Sequence, residues 1–169
     1  MLGPGATGDI HRGTKGEVMY SYEQPRAKAA DESELSTKTV ADIFAKSFLW
    51  LKEDINIEEA MKLLLKRDQT GAPVLDDRHR LLGFLSEKDC LKYVTEIRYL
   101  NSGSGEVRDF MSKDVEVVNL ETSIFTIIDK FIKNSFHIFP VVDESSQVVG
   151  IVKRRHVLEE VSRWKTTTW

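Results

Sequence analysis

Apolar positions fall along this chain in two alternating rhythms. Ile57, Ala60, Met61, Leu64 and Leu65 recur at helical spacing, and so do Ile124, Ile127, Ile128, Phe131 and Ile132. After each of these come two short apolar runs parted by a polar turn, APVL-DDRHR-LLGFL in one place and FPVV-DESSQ-VVGIV in the other. Each predicts a hairpin. A second helix follows each hairpin, with Cys90, Leu91 and Val94 expected inward in one and Val157, Leu158, Val161 and Trp164 in the other. Short strands near Leu49 to Leu51 and Val115 to Val118 precede the first helices. Asn56 with Glu59 reads as a capping box and Ser123 as an N-cap.

These elements are one unit written twice. Sliding the chain by 67 positions puts Val40 on Val107, Asp42 on Asp109, Pro73 on Pro140, Asp76 on Asp143 and Gly83 on Gly150, with no gap from residue 40 to residue 94. The fold class expected is α/β of the α+β kind: two tandem βαββα units related by a pseudo-twofold axis, with small mixed sheets flanked by helices. Runs such as FPVV are apolar at successive positions, so both faces of each sheet should be covered, and packing the units together does this. The expected division is a mostly disordered tail over residues 1–37, a first unit over 38–100, a Gly/Ser linker over 101–106 and a second unit over 107–165. A short helix is possible within the tail at 26–36.

Composition narrows the function classes. The 169 residues are 41% hydrophobic and 30% charged, as in a soluble globular protein. The longest apolar runs are strand-sized, which argues against a membrane span, and the start lacks a secretory pattern. One cysteine, Cys90, forms no disulfide framework and fits a reduced, cytoplasmic protein. A net charge of −3 argues against general nucleic-acid binding. No nucleophile with an adjacent base and no phosphate-cradling loop can be picked out, so no enzyme is expected. His79 with Asp76 and Asp77 reads as a solvated turn rather than a metal site, and His11 lies in the tail.

The two copies differ in one polar stretch, GFLSEKDCL at residues 83–91 against GIVKRRHVL at 150–158. With GAPVLDD and HIFPVVDE, these motifs give residues 38–164 a pattern that resembles a pair of cystathionine-β-synthase (CBS) domains, a Bateman module. The resemblance implies a regulatory module, usually a homodimer, that binds AMP, ADP, ATP or S-adenosylmethionine between the units and signals to a regulated protein. It implies no catalytic cofactor and no metal. Carried over by position, one cleft would use Ser86, Lys88 and Asp89 with Val115, Val117, His137, Ile138, Phe139 and Pro140. The other would set Lys153, Arg155 and His156 against Phe48, Trp50, Thr70, Gly71 and Ala72. A module with decayed, ligand-free clefts that serves dimerisation is the alternative.

Two readings of each copy stand side by side. The Asp89 carboxylate could accept from both ribose hydroxyls while Ser86 and the helix amides meet a phosphate; equally, Ser86-x-x-Asp89 is a helix cap that needs no ligand. Lys153, Arg154 and Arg155 crowd positive charge at a helix start, which an anion would relieve; equally, they form a solvated basic turn paired with Glu159 or Glu160.

Overall fold

The computed structural model describes residues 37–100 and 105–163, the last four of the first stretch by backbone only. The tail with its expected short helix, most of the linker and Trp164 lie outside the described residues. The chain begins with a 3-10 turn, Val40–Asp42, and continues with α1 (Ile57–Lys66), β1 (Gly71–Leu75), β2 (Leu81–Ser86) and α2 (Glu87–Leu100). The second half repeats this as a short helix α3 (Val107–Phe110), β3 (Val118–Asn119), α4 (Ile124–Lys133), β4 (Ile138–Val142), β5 (Val148–Lys153) and α5 (Arg154–Arg163). This mixed α+β arrangement of small sheets and flanking helices has the expected class.

The 67-residue repeat is written into the hydrogen bonds. Both hairpins are antiparallel and slip register at the same place, between Val74 and Leu75 and between Val141 and Val142. A parallel pairing flanks each, Leu51 with Val74 and Val118 with Val141. In the turns, the Asp76 carboxylate accepts from the Arg78 and Arg80 amides at 2.9 Å, and Asp143 accepts from the Ser145 and Gln147 amides at 2.9 Å. These side-chain turns place His79 and Ser146 at positive φ. The caps fall near their expected places: Asn56 accepts from the Glu58 amide and Ser123 from that of Thr126.

Each unit is completed by the other's leading segment. Val40 is fully buried in the second unit's core with Ile124, Phe139 and Val141, while Val107 is fully buried with Leu51, Ile57 and Val74 in the first. Backbone bonds follow the same exchange. Val40 N–H donates to Thr122 O and Ala45 pairs with Ile151, whereas Val107 N–H donates to Ile55 O and Ser112 pairs with Phe84. Asp42 and Asp109 each accept from the backbone N–H three residues earlier, which fixes the start of each arm. On the axis, Arg80 bridges to Gln147 and joins the two hairpins.

The outward faces correct part of the expectation. Leu65, Leu91, Ile132 and Leu158 are each at least 66% exposed, and Val94 is 48% exposed. On α1 the core side is Ile57, Ala60 and Leu64 with Met61 and Leu63 packed against them, and Leu65, about 100° further round from Leu64, falls outside that stripe. In α2 the buried pair is Cys90 and Tyr93, the latter edge-on to Phe110 of the exchanged arm. Leu91 and Val94 form the adjacent, outward stripe.

Candidate functional site

A strand running straight into a helix sets Ser86 and Asp89 at one corner. The Asp89 carboxylate accepts from the Ser86 amide at 3.0 Å and its hydroxyl at 2.5 Å, while Ser86 Oγ accepts from the Asp89 amide at 3.3 Å. This is a reciprocal helix cap. The other carboxylate oxygen takes the Lys92 ammonium at 2.7 Å. Asp89 is only 4% exposed. Burial alone would raise its pKa, but the hydrogen bonds from Lys92 and Ser86 outweigh it and hold the carboxyl below its ordinary value.

This corner forms one wall of a cleft of about 430 Å³ between the units, within the size range of small-molecule sites. The opposite wall comes from the second unit: Val115 before β3, and Ser135, Phe136, His137 and Ile138 leading into β4. Of the residues expected here, Ser86, Lys88, Asp89, Val115, His137 and Ile138 are brought together. Val117, Phe139 and Pro140 are not among the lining residues. Side chains alternate along a strand, so Phe139 turns from the side of Ile138 into the core, where it is fully buried against Phe131. Pro140 is buried within β4, and Val117 faces outward beside the buried Val118.

The phenyl rings at the cleft are instead Phe84 from the first unit and Phe136 from the second, the latter 43% exposed and edge-on to Phe139 at 5.7 Å. Sequence reasoning also missed the charges. Lys92, three residues after Asp89, lines the cleft, as do Glu87, Asp114 and Glu116. The last two flank Val115, so their places were readable once Val115 was chosen. Glu116 pairs with Lys130 and accepts from Asn134. Among the described residues, Lys88, Glu87 and Asp114 form no ion pair.

In the second copy, Lys153 stands where Ser86 does, His156 where Asp89 does, and Gln69 where Phe136 does. Lys153 Nζ donates to Gln69 Oε1 at 2.5 Å, a strut from the second unit to the first. Burial pushes the Lys153 ammonium pKa down. His156 Nδ1 accepts from the Lys153 amide at 3.4 Å, a longer version of the Asp89 cap. Burial, then the Lys153 charge, lower the His156 pKa against an opposing pull from Glu159.

The basic run has partners inside the protein. Arg155 pairs with Glu159 at 2.8 Å, as the solvated-turn reading requires. Arg154 donates to Asn134 O at 3.0 Å and lies 5.9 Å from the Phe131 ring centre. Of the other residues assigned to the second cleft, Thr70 lines the first one, and Gly71 and Ala72 are buried in β1. Trp50 stands edge-on to His79. Among the described residues, no group of three His, Cys, Asp or Glu side chains could hold a metal ion, and no helix is long and apolar enough to cross a membrane.

The family model for the CBS domain matches residues 40–96 and again residues 107–163. The chain belongs to the CBS domain family. Its CBS pair is similar in structure to that of protein MJ0100 in complex with 5'-methylthioadenosine and S-adenosyl-L-methionine. The TM-score is 0.66 at 25% identity, covering 76% of this chain and 99% of that one. It is similar also to CBSX2 of Arabidopsis thaliana, solved in complex with AMP, with a TM-score of 0.65 at 26% identity over 74% of this chain and 96% of that one. Among sequence relatives, an uncharacterised 17.7 kDa protein of Acidianus ambivalens is 27% identical over 72% of this chain and 71% of its own length. A homoserine O-acetyltransferase of Methanococcus vannielii is 25% identical over 76% of this chain. The chain spans only 26% of that enzyme and 39% of protein MJ1225 of Methanocaldococcus jannaschii. Each match of the CBS model begins at the arm that docks on the opposite unit, so the unit of sequence and the unit of packing differ.

Proposed function

We propose that this CBS pair is a regulatory module that binds an adenosine-containing small molecule in the Ser86–His137 cleft and relays occupancy to a partner protein. The observation that carries the reading is the buried Asp89 carboxylate, held below its ordinary pKa by Lys92 and Ser86, in the wall of a cleft whose far wall presents Phe136 and His137. A ribose diol donates two hydroxyls, and the carboxylate accepts them once Lys92 swings out. The Lys92 side chain is 57% exposed and can turn to solvent, while the ribose hydroxyls take over its bond to the buried carboxylate. Phe136 offers a face on which adenine stacks. The adenosine ligands of the MJ0100 and CBSX2 pairs support this class of ligand.

A specific feature favours dimerisation as part of the same role. The exposed Leu65 and Leu91 of the first unit recur as Ile132 and Leu158 of the second, so two equivalent apolar stripes lie about the pseudo-axis. Such a surface suits an isologous contact with a second copy. Calorimetric titration of the full chain with 5'-methylthioadenosine, S-adenosylmethionine, AMP and ATP tests the ligand reading, alongside Asp89→Asn. Binding that weakens at least about tenfold in the variant is expected, from the loss of charge-assisted bonds. Undiminished binding removes the ribose role of Asp89. No binding by any of the four leaves the ligand-free dimerisation module.

A further inference from the structure

We propose that this cleft selects its ligand by charge, accepting neutral or cationic adenosine derivatives and disfavouring those that carry a phosphate chain. The proposal rests on the adenosine reading above and concerns only which member of that class fits.

The charges around the cleft are unequal. Four carboxylates line it, Glu87, Asp89, Asp114 and Glu116, against two lysines, Lys88 and Lys92. Lys92 is committed to Asp89 and Glu116 is met by Lys130. Glu87 and Asp114 remain without a cation among the described residues, facing one uncommitted ammonium, that of Lys88. Displacing Lys92 for a ribose hydroxyl leaves the balance of charge unchanged, since both partners stay at the site.

The helix end that commonly attracts phosphate is compromised here. The first turn of α2 carries Glu87 and Asp89, which already complement its positive pole. The matching turn of α5 has no acid and two arginines. A phosphate chain in the first cleft therefore meets four carboxylates, Glu87, Asp89, Asp114 and Glu116, against Lys88, the released Lys92 and the Lys130 that pairs Glu116, so one negative charge stays in excess and each further phosphate adds repulsion. A sulfonium or amine on the 5' side of an adenosine meets the same carboxylates as partners.

The test is affinity at low and at physiological ionic strength for S-adenosylmethionine, 5'-methylthioadenosine, AMP and ATP, by calorimetry on the full chain. The cationic ligand is expected to bind at least about tenfold more tightly than AMP, with ATP weaker still. Added salt should weaken the cation and strengthen ATP. In Glu87→Gln/Asp114→Asn the ratio of S-adenosylmethionine to AMP affinity is expected to fall at least about fivefold. AMP or ATP binding more tightly than both uncharged and cationic ligands overturns the charge selection while leaving the adenosine reading intact. A ratio that the double variant does not move also overturns it. No binding by any of the four removes the adenosine reading and this inference together.

Discussion

Gly150→Ala tests the exchanged arms, because glycine at this place makes room for the other unit's leading segment. A Cβ on Gly150 would lie 2.4 Å from a Phe44 ring carbon and 2.6 Å from the Ala45 carbonyl oxygen. The ring can turn aside. The carbonyl cannot, since Ala45 exchanges hydrogen bonds with Ile151 at 2.9 and 3.1 Å. Relieving the contact lifts the arm by roughly an ångström, at an overpacking cost of about 1–3 kcal/mol. Stretching the two bonds adds a fraction of the roughly 0.5–1.5 kcal/mol that each contributes. The expected loss is about 2–4 kcal/mol.

The matching Gly83→Ala supplies the contrast. Its added Cβ would meet Met111 Sδ at 2.6 Å and the Ser112 carbonyl at 2.9 Å. The flexible methionine yields more cheaply than a ring, and the Ser112 carbonyl, held by Phe84 as Ala45 is by Ile151, is overlapped less at 2.9 Å than the Ala45 carbonyl at 2.6 Å, so about 1–2 kcal/mol is expected. Urea unfolding of both variants measures the difference, and hydrogen exchange at the Ala45 and Ile151 amides locates it. A Gly150→Ala midpoint within error of the wild type, with those two amides still protected, would refute the docked arm.

Three further outcomes follow from the same geometry. His156 titrates below its unfolded value of about 6.5, so the unfolded chain takes up the proton first; stability falls as pH drops through that value and levels off below the folded pKa. His156→Asn should flatten this slope in pH-dependent melts, and an unchanged slope would show the imidazole is not responsible. Gln69→Leu strands the partly buried Lys153 ammonium and should cost about 1–2 kcal/mol, partly recovered in Gln69→Leu/Lys153→Leu; a double-mutant cycle with no coupling in denaturant unfolding contradicts the strut. For the proposed dimer, sedimentation equilibrium at micromolar concentration should show self-association of the wild type that Leu65→Glu with Ile132→Glu abolishes; a monomeric wild type, or a variant that still dimerises, contradicts the proposed contact.

Much of the fold was legible because the information is local and repeated. The offset of 67 maps the Leu51–Val74 pairing onto Val118–Val141 and the Asp76 turn onto that of Asp143. Arm exchange was not legible. Equivalence of Val40 and Val107 signals that both are buried, yet periodicity carries no record of which unit each enters. The same limit affects Leu91 and Val94: they keep helical spacing on an outward stripe as well as Cys90 and Tyr93 keep it on the inward one. At the site, the Ser86–Asp89 corner spans four residues and was readable from their types. Phe136 was not, since its place depends on how the chain enters β4, and strand alternation then sends Phe139 into the core.

The difference between residues 83–91 and 150–158 has a physical content. Both corners cap a helix, Asp89 with an anion and His156 with an imidazole nitrogen. What differs is the space in front of the cap. On one side Ser86 leaves a cleft open toward Phe136; on the other the longer Lys153 reaches Gln69 and spans the joint. The open joint also contains Ser112, where the arm of residues 107–112 leaves β2, followed directly by Asp114 and Val115 on the cleft wall. A ligand bound at the proposed site would touch the first unit, the second unit and the exit of the exchanged arm at once, while Lys153 and Gln69 pin the opposite joint. It can therefore bias the angle between units only through its contacts at one hinge, and by no more than its difference in affinity for the two angles.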